Sequence, residues 1–272
     1  MTEGGAHRRI VEAWRAQRYA ALRRDMSWLT LAGLDWLRDG VNRVGSAADT
    51  DVMLPGGPAL AGTLTVESGT VTAEGEWTHA AAPVDGLRLV DDQHGEATLL
   101  ELGSLRSCVI ERGGRLALRT WDLDAPPRHA FDGIDHWEVD PDWCVEARFE
   151  RAADRTVAVP DVVGTAETKP SPGDVVFERD GASFRLQALE GGERGELWLV
   201  FGDATNGSET YGGGRFLYTE PPNAESTVVV DFNRAYNPPC VFTPFATCPL
   251  PWPENRLAIR VEAGERAYLP GG

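Results

Sequence analysis

Residues 227–233 read Thr227-Val-Val-Val-Asp-Phe-Asn233. Val228, Val229 and Val230 are β-branched and bounded by polar residues, so they form a strand. Asp231 and Asn233 stand at its C-terminal end. If the strand continues, alternation puts both on one face and Phe232 on the other. Two polar side chains two residues apart then converge on one ligand. Downstream, Asn237 precedes Pro238 and is pushed out of the helical region. Pro238 and Pro239 stiffen the exit into a fixed corner, and Pro244, Pro249, Pro251 and Pro253 keep residues 243–255 extended and non-helical. An irregular run of that length inside a domain is packed or functional.

Upstream lies T-Y-G-G-G-R-F-L-Y, residues 210–218. Gly212, Gly213 and Gly214 allow positive φ and close backbone approach. Arg215 follows, and Phe216-Leu217-Tyr218 opens another strand. Backbone N–H groups beside a guanidinium suit an anion. No Gly-Lys-Ser/Thr follows, so the run is not a P-loop. The structural alternative is a glycine-rich bulge with Arg215 paired to Asp231 or Glu209.

Three runs now carry a resemblance: Gly-Arg-Phe-Leu-Tyr at 214–218, Asp-Phe-Asn-x-Ala-Tyr-Asn-Pro-Pro-Cys at 231–240, and Phe-Ala-Thr-Cys-Pro-Leu-Pro-x-Pro-Glu-Asn-Arg at 245–256. With Trp28-Leu29 and Gly133-Ile134-Asp135 they resemble the signature of a bacterial family catalogued as domain of unknown function 1684. The resemblance implies a β-rich protein, cytosolic or exported, and hands over no catalytic residue. A second one covers residues 40–54, G-V-N-R-V-G-S-A-A-D-T-D-V-M-L. These resemble the opening of a forkhead-associated domain, a β-sandwich that binds phosphothreonine. Ser46 stands where the phosphate-binding arginine is usual, and no Ser-x-x-His follows in residues 55–66. The resemblance therefore implies the sandwich and not the phosphopeptide function.

Composition sets the bounds. The net charge of -16 leaves no basic footprint for nucleic acid or an anionic membrane. No apolar run reaches the length of a membrane span, and residues 1–9 are too polar for a signal peptide, so the expected location is cytoplasmic. Cys108, Cys144, Cys240 and Cys248 are too few and too spread for a disulfide scaffold. The sequence says nothing of oligomeric state.

Residues 6–24 lack glycine and proline, and Ile10, Trp14, Ala21 and Leu22 recur near helical spacing. They predict one amphipathic helix with its arginines in solvent. Residues 26–37 hold Trp28, Leu29, Leu31, Leu34, Trp36 and Leu37, an apolar clasp that docks the helix on a β core. Alternating segments at 64–77, 87–90, 98–102, 106–110 and 116–120, with turns at Ser68-Gly69, Gly103-Ser104 and 112–114, predict a sandwich or barrel. A junction falls at 122–127. Further strands are expected at 144–150, 157–163, 173–178, 182–188, 197–201 and 257–261. The fold expected is mainly β: an N-terminal helix and clasp (1–38), a forkhead-associated-like sandwich (39–121), and a β-barrel or sandwich (122–272).

Three functions stay open. In the first, Arg215, Asn233, Asn237, Tyr211 and Asn255 bind a small polar or anionic metabolite at the mouth of the C-terminal β unit. In the second, a small-molecule hydrolase or lyase uses Asp231 with Tyr236 for acid–base work and Arg215 to hold the substrate's charge. In the third, the signature is a structural corner with Asn and Asp capping turns. No cofactor is specified, because no Gly-x-Gly-x-x-Gly unit is present. No metal set is assigned: His129 and His136 lie among Asp132, Asp135 and Glu138, but their spacing matches no zinc pattern.

Overall fold

The computed structural model of the chain describes residues 3–268. These form two compact units: residues 21–131 with 243–246, and residues 3–20 with 132–242 and 247–268. Helix α1 (Glu3–Leu22) opens the chain. Strands β1 (Leu31–Trp36), β2 (Gly40–Gly45), β3 (Val52–Met53), β4 (Gly62–Glu67), β5 (Thr70–Gly75), β6 (Thr78–His79), β7 (Ala82–Pro83), β8 (Leu87–Leu89), β9 (Leu100–Leu102), β10 (Leu105–Arg112) and β11 (Arg115–Asp122) follow. A short helix α2 (Pro126–Ala130) closes that run.

These strands make two sheets, ordered β3-β2-β4-β5-β8 and β1-β11-β10-β9-β6-β7. Val44, Leu64 and Val71 from the first share one core with Leu100, Val109 and Leu118 from the second. Two sheets packed on a common core are a sandwich. The β4–β5 hairpin turns at Ser68 and Gly69, with φ of 50° and 77°. Two successive positive φ values are the type I′ geometry that matches strand twist. Residues 26–37 differ from expectation. Their apolar density conceals an edge strand, β1, which pairs antiparallel with β11.

The second unit holds β12 (Cys144–Arg151), β13 (Thr156–Pro160), β14 (Ala166–Pro170), β15 (Gly173–Arg179), β16 (Ala182–Glu190), β17 (Leu197–Phe201), β18 (Arg215–Thr219) and β19 (Thr227–Asp231). β13 and β14 form a separate ribbon. The other strands form one sheet, ordered β18-β17-β16-β15-β12-β19. Its two edges nearly meet: just past β19, Tyr236 exchanges both backbone hydrogen bonds with Phe216 of β18, each 2.9 Å. The result is a nearly closed barrel. Phe149, Phe177, Leu186, Phe201, Leu217, Val230 and Phe232 fill it. Each such side chain contributes roughly 1.5–3 kcal/mol on burial. In β19 the valines alternate, with Val228 and Val230 inside and Val229 half-exposed.

The barrel has one open seam. β16 and β17 pair only at Leu189–Trp198 and Glu190–Leu197. Where they part, the proline-rich segment enters. The Asn255 amide donates to Gln187 O at 2.9 Å and Val200 O at 2.8 Å, and its oxygen accepts from Gln187 N at 2.8 Å. One side chain thus supplies the missing rungs between strands. Residues 257–261 form no strand. They run on as irregular chain, with Leu257 N–H donating to Gly202 O at 2.8 Å.

Candidate functional site

Among the described residues, the polar side chains of the signature divide into satisfied and unsatisfied sets. Arg215 is fully buried. Its guanidinium donates to Asp203 Oδ2 at 2.9 Å and to the carbonyls of Val261, Ala263 and Glu265. Its partner is Asp203, not Asp231 or Glu209; Glu209 pairs with Arg260. Asp203 Oδ1 in turn accepts from the Thr205 backbone at 2.8 Å and hydroxyl at 2.6 Å. Arg215 thus ties the irregular 261–265 segment to the barrel. Burial lowers its pKa, and the Asp203 charge opposes that shift. It has no route to a solvent-borne anion.

The other expected ligand residues are also largely spent or apart, although Asn237 Oδ1 is buried without a partner. Asn255 closes the seam just described. The Asn237 backbone N–H donates to Glu265 Oε2 at 2.6 Å, and its amide to Arg266 O at 2.7 Å. The Tyr236 ring lies under the Arg18 guanidinium, 4.5 Å from its centroid, and stacks on Tyr218. Burial drives its pKa well up, so it is no ready proton donor. Tyr211 lies near Cys240 and Cys248, and burial raises its pKa too. Cys240 N–H donates to Cys248 Sγ at 3.1 Å, and none of the four cysteines is in a disulfide among the described residues. The neighbouring glycine is forced: Gly214 has φ of 84°, and a Cβ there would stand 2.5 Å from Phe201 O.

Asp231 and Asn233 do come together, though not as strand alternation predicted. Asp231 Oδ1 accepts from the Asn233 backbone at 3.1 Å and amide at 2.9 Å, which ends β19 in a 3-10 turn over Phe232–Arg234. A side chain that bonds the backbone two residues on competes with the ladder. The Asn233 amide is fixed in turn by Asp140, through its N–H at 2.9 Å and carbonyl at 2.8 Å. Oδ2 of Asp231 faces His7 of α1, with Nε2 at 2.8 Å. Cys144 is the direct cross-strand neighbour of Asp231 in the β12–β19 pairing. Burial, and then the Asp231 charge, push its thiol up to about 11. One ligand-type atom from each of His7, Cys144 and Asp231 lies within 4.8 Å of the others.

His7 lies outside the apolar stripe of α1 that the sequence predicts, a stripe that holds at Trp14 and Leu22 and fails at Ile10. Ile10 is 59% exposed, while Val11 is fully buried. The stripe that meets the barrel is His7, Val11, Trp14, Arg15 and Arg18, spaced by three or four residues around α1. Arg15 donates to Trp137 O at 3.0 Å, and Arg18 pairs with the buried Glu265. This stripe has helical period but little hydrophobicity, so only its spacing could have revealed it.

Arg234, also missed, follows Asn233 directly. It lines a surface cavity of about 470 Å³ with Arg194, Glu196, Tyr218, Thr219 and Glu220. Its Nε is buried with no hydrogen-bond partner. His129 is exposed on α2, in the other unit. His136 Nδ1 donates to Ile134 O at 2.7 Å, and burial with the Arg15 charge lowers its pKa to about 4.

These elements define a mainly β protein whose nearly closed barrel is strapped by a polar helix and a proline-rich segment. Residues 129–266, just over half of the chain, match the family described as "Protein of unknown function (DUF1684)", and the chain belongs to that family. It is also similar to an uncharacterised protein of Haloarcula marismortui, solved by solution NMR. That protein is 33% identical over 52% of this chain and 79% of its own, with a TM-score of 0.42. No curated protein matches. No helix among the described residues is long and apolar enough to cross a membrane.

Proposed function

We propose that the chain binds a small polar metabolite carrying an anionic group, in the cavity beside Arg234. The observation that carries this reading is a guanidinium whose buried Nε lacks a partner at the edge of a 470 Å³ hollow. Buried Nε atoms without partners also occur at Arg15 and Arg215; what sets Arg234 apart is that it lines the hollow, where an anion can pair with its guanidinium. Arg234 thus takes the clamp role that the sequence assigned to Arg215. Glu193 and Glu220 on the rim favour a ligand that also carries a positive group. The test is thermal unfolding with a panel of phosphates, carboxylates and amino acids. A ligand at one hundred times its Kd adds about 2.7 kcal/mol. The shift is expected in the native chain and lost in Arg234→Ala. No shift with any compound, or an equal shift in the variant, overturns the reading.

A second reading, a hydrolase or lyase with Asp231 as base, is supported by the His7–Asp231 contact. It predicts that a metabolite mixture is chemically altered by the native chain and not by Asp231→Asn, as read by mass spectrometry. The forkhead-associated likeness of residues 39–121 is kept as a proposal of fold. The Ser46 hydroxyl is spent on Gly57 O at 2.9 Å and Pro58 O at 3.0 Å, so no phosphopeptide site is proposed there.

A further inference from the structure

We propose that His7, Cys144 and Asp231 form a binding site for zinc or a similar borderline transition-metal ion. The three residues come from separate elements, the first turns of α1, the start of β12 and the end of β19. Their donor atoms are nitrogen, sulfur and oxygen, all within 4.8 Å of one another. Zinc takes this mixed set, with bonds of about 2.0–2.3 Å, which place tetrahedral ligand atoms roughly 3.3–3.6 Å apart. The His7–Asp231 contact of 2.8 Å would open by about half an ångström, and the other separations, at most 4.8 Å, would close by no more than about 1.5 Å. Cross-strand pairing already sets Cys144 beside Asp231.

One further feature suits a metal better than a nucleophilic thiol. The Asp231 carboxylate is held from behind by Asn233, itself locked on Asp140, which is how carboxylate ligands are oriented around metal ions. Coordination through Nε2 of a neutral imidazole leaves the ring proton on Nδ1, which is buried without an acceptor, so this ligand lacks the usual outer-shell partner. Binding also expels the Cys144 thiol proton to solvent, one proton per ion, because only the thiolate is a ligand. With three protein ligands, the fourth position of a tetrahedral ion is open to water or an incoming ligand. The site does not depend on the Arg234 cavity, and it stands or falls separately.

The full-length chain, stripped with chelator and titrated with zinc, is expected to retain one ion per chain on dialysis and to unfold at higher temperature. Loaded with cobalt instead, it should show the near-ultraviolet thiolate-to-cobalt band. Cys144→Ser should remove that band and weaken zinc binding by more than the ~10–100-fold that loss of an outer-shell partner costs. His7→Ala, which removes a half-buried side chain, should weaken zinc binding similarly while leaving the unfolding midpoint of the metal-free chain near that of the native one. Absence of stoichiometric zinc overturns the proposal. So does a cobalt spectrum without the thiolate band, because the other candidate group, Asp91, His94 and Glu111, holds no sulfur. A band that survives in Cys144→Ser overturns it too, since it places the ion on another cysteine.

Discussion

Arg215 and Arg234 lie nineteen residues apart in one signature and have opposite circumstances. Arg215 is sealed inside the barrel, with a carboxylate and three carbonyls around it. Arg234 edges a cavity instead. Each keeps a buried Nε without a partner, so access separates them rather than saturation. A guanidinium whose two terminal nitrogens are spent inside a barrel is architecture. One that borders a hollow is where a ligand can be met. The same contrast separates Asn255, all of whose bonds stitch strands, from Asp231, which offers one oxygen to Asn233 and the other to His7.

The comparison breaks most visibly at Arg215. Arg215→Ala leaves Asp203 charged and buried, and should cost about 3–5 kcal/mol in denaturant unfolding. A loss below 1 kcal/mol would show that the pair is not structural. Asn255→Ala orphans the Gln187 and Val200 backbone groups, and should cost about 2–3 kcal/mol by the same measurement. A neutral result there would mean the seam closes without the amide.

The next effect is on pH dependence. His136 has its pKa lowered from 6.5 to about 4, first by burial and then by the Arg15 charge. Below pH 6.5 the unfolded chain binds a proton that the folded chain refuses. Stability is therefore complete above that pH and falls as pH drops toward 4, by on the order of 3 kcal/mol. His136→Gln should flatten this part of the stability curve, and an unchanged slope would assign it to other groups. The smallest effect is at Arg234. Arg234→Ala should lower stability by no more than ~0.5 kcal/mol while removing the ligand-induced shift. A large destabilisation would put Arg234 in the same class as Arg215.

Much of the β architecture was legible in the chain. Ser68-Gly69 announced its hairpin, and residues 197–201 form the strand expected of them. Local patterns sufficed there because turn chemistry and alternation act within a few residues. The site was less legible. Arg215 looked like an anion clamp because nothing local shows that Asp203 will neutralise it. Asp231 was singled out, but His7 precedes it by more than two hundred residues, and Cys144 reaches it only through strand register. The α1 stripe expected from the sequence includes Trp14 and the buried Leu22 but also the exposed Ile10, while the docking stripe joins Val11 and Trp14 to arginines and an imidazole. A largely polar docking face leaves a faint hydrophobic trace.

The division of the chain sets an order of events during synthesis. Residues 3–20 belong with segments that begin at residue 132, whereas the sandwich is complete from 21–131 apart from four residues, 243–246. At translation speeds of roughly 5–20 residues per second, α1 leaves the ribosome on the order of ten seconds before any of its barrel exists. During that wait its arginine-rich surface keeps the nascent helix dissolved, where a greasy one would invite aggregation. The sparse hydrophobicity that hid its docking face also protects the growing chain.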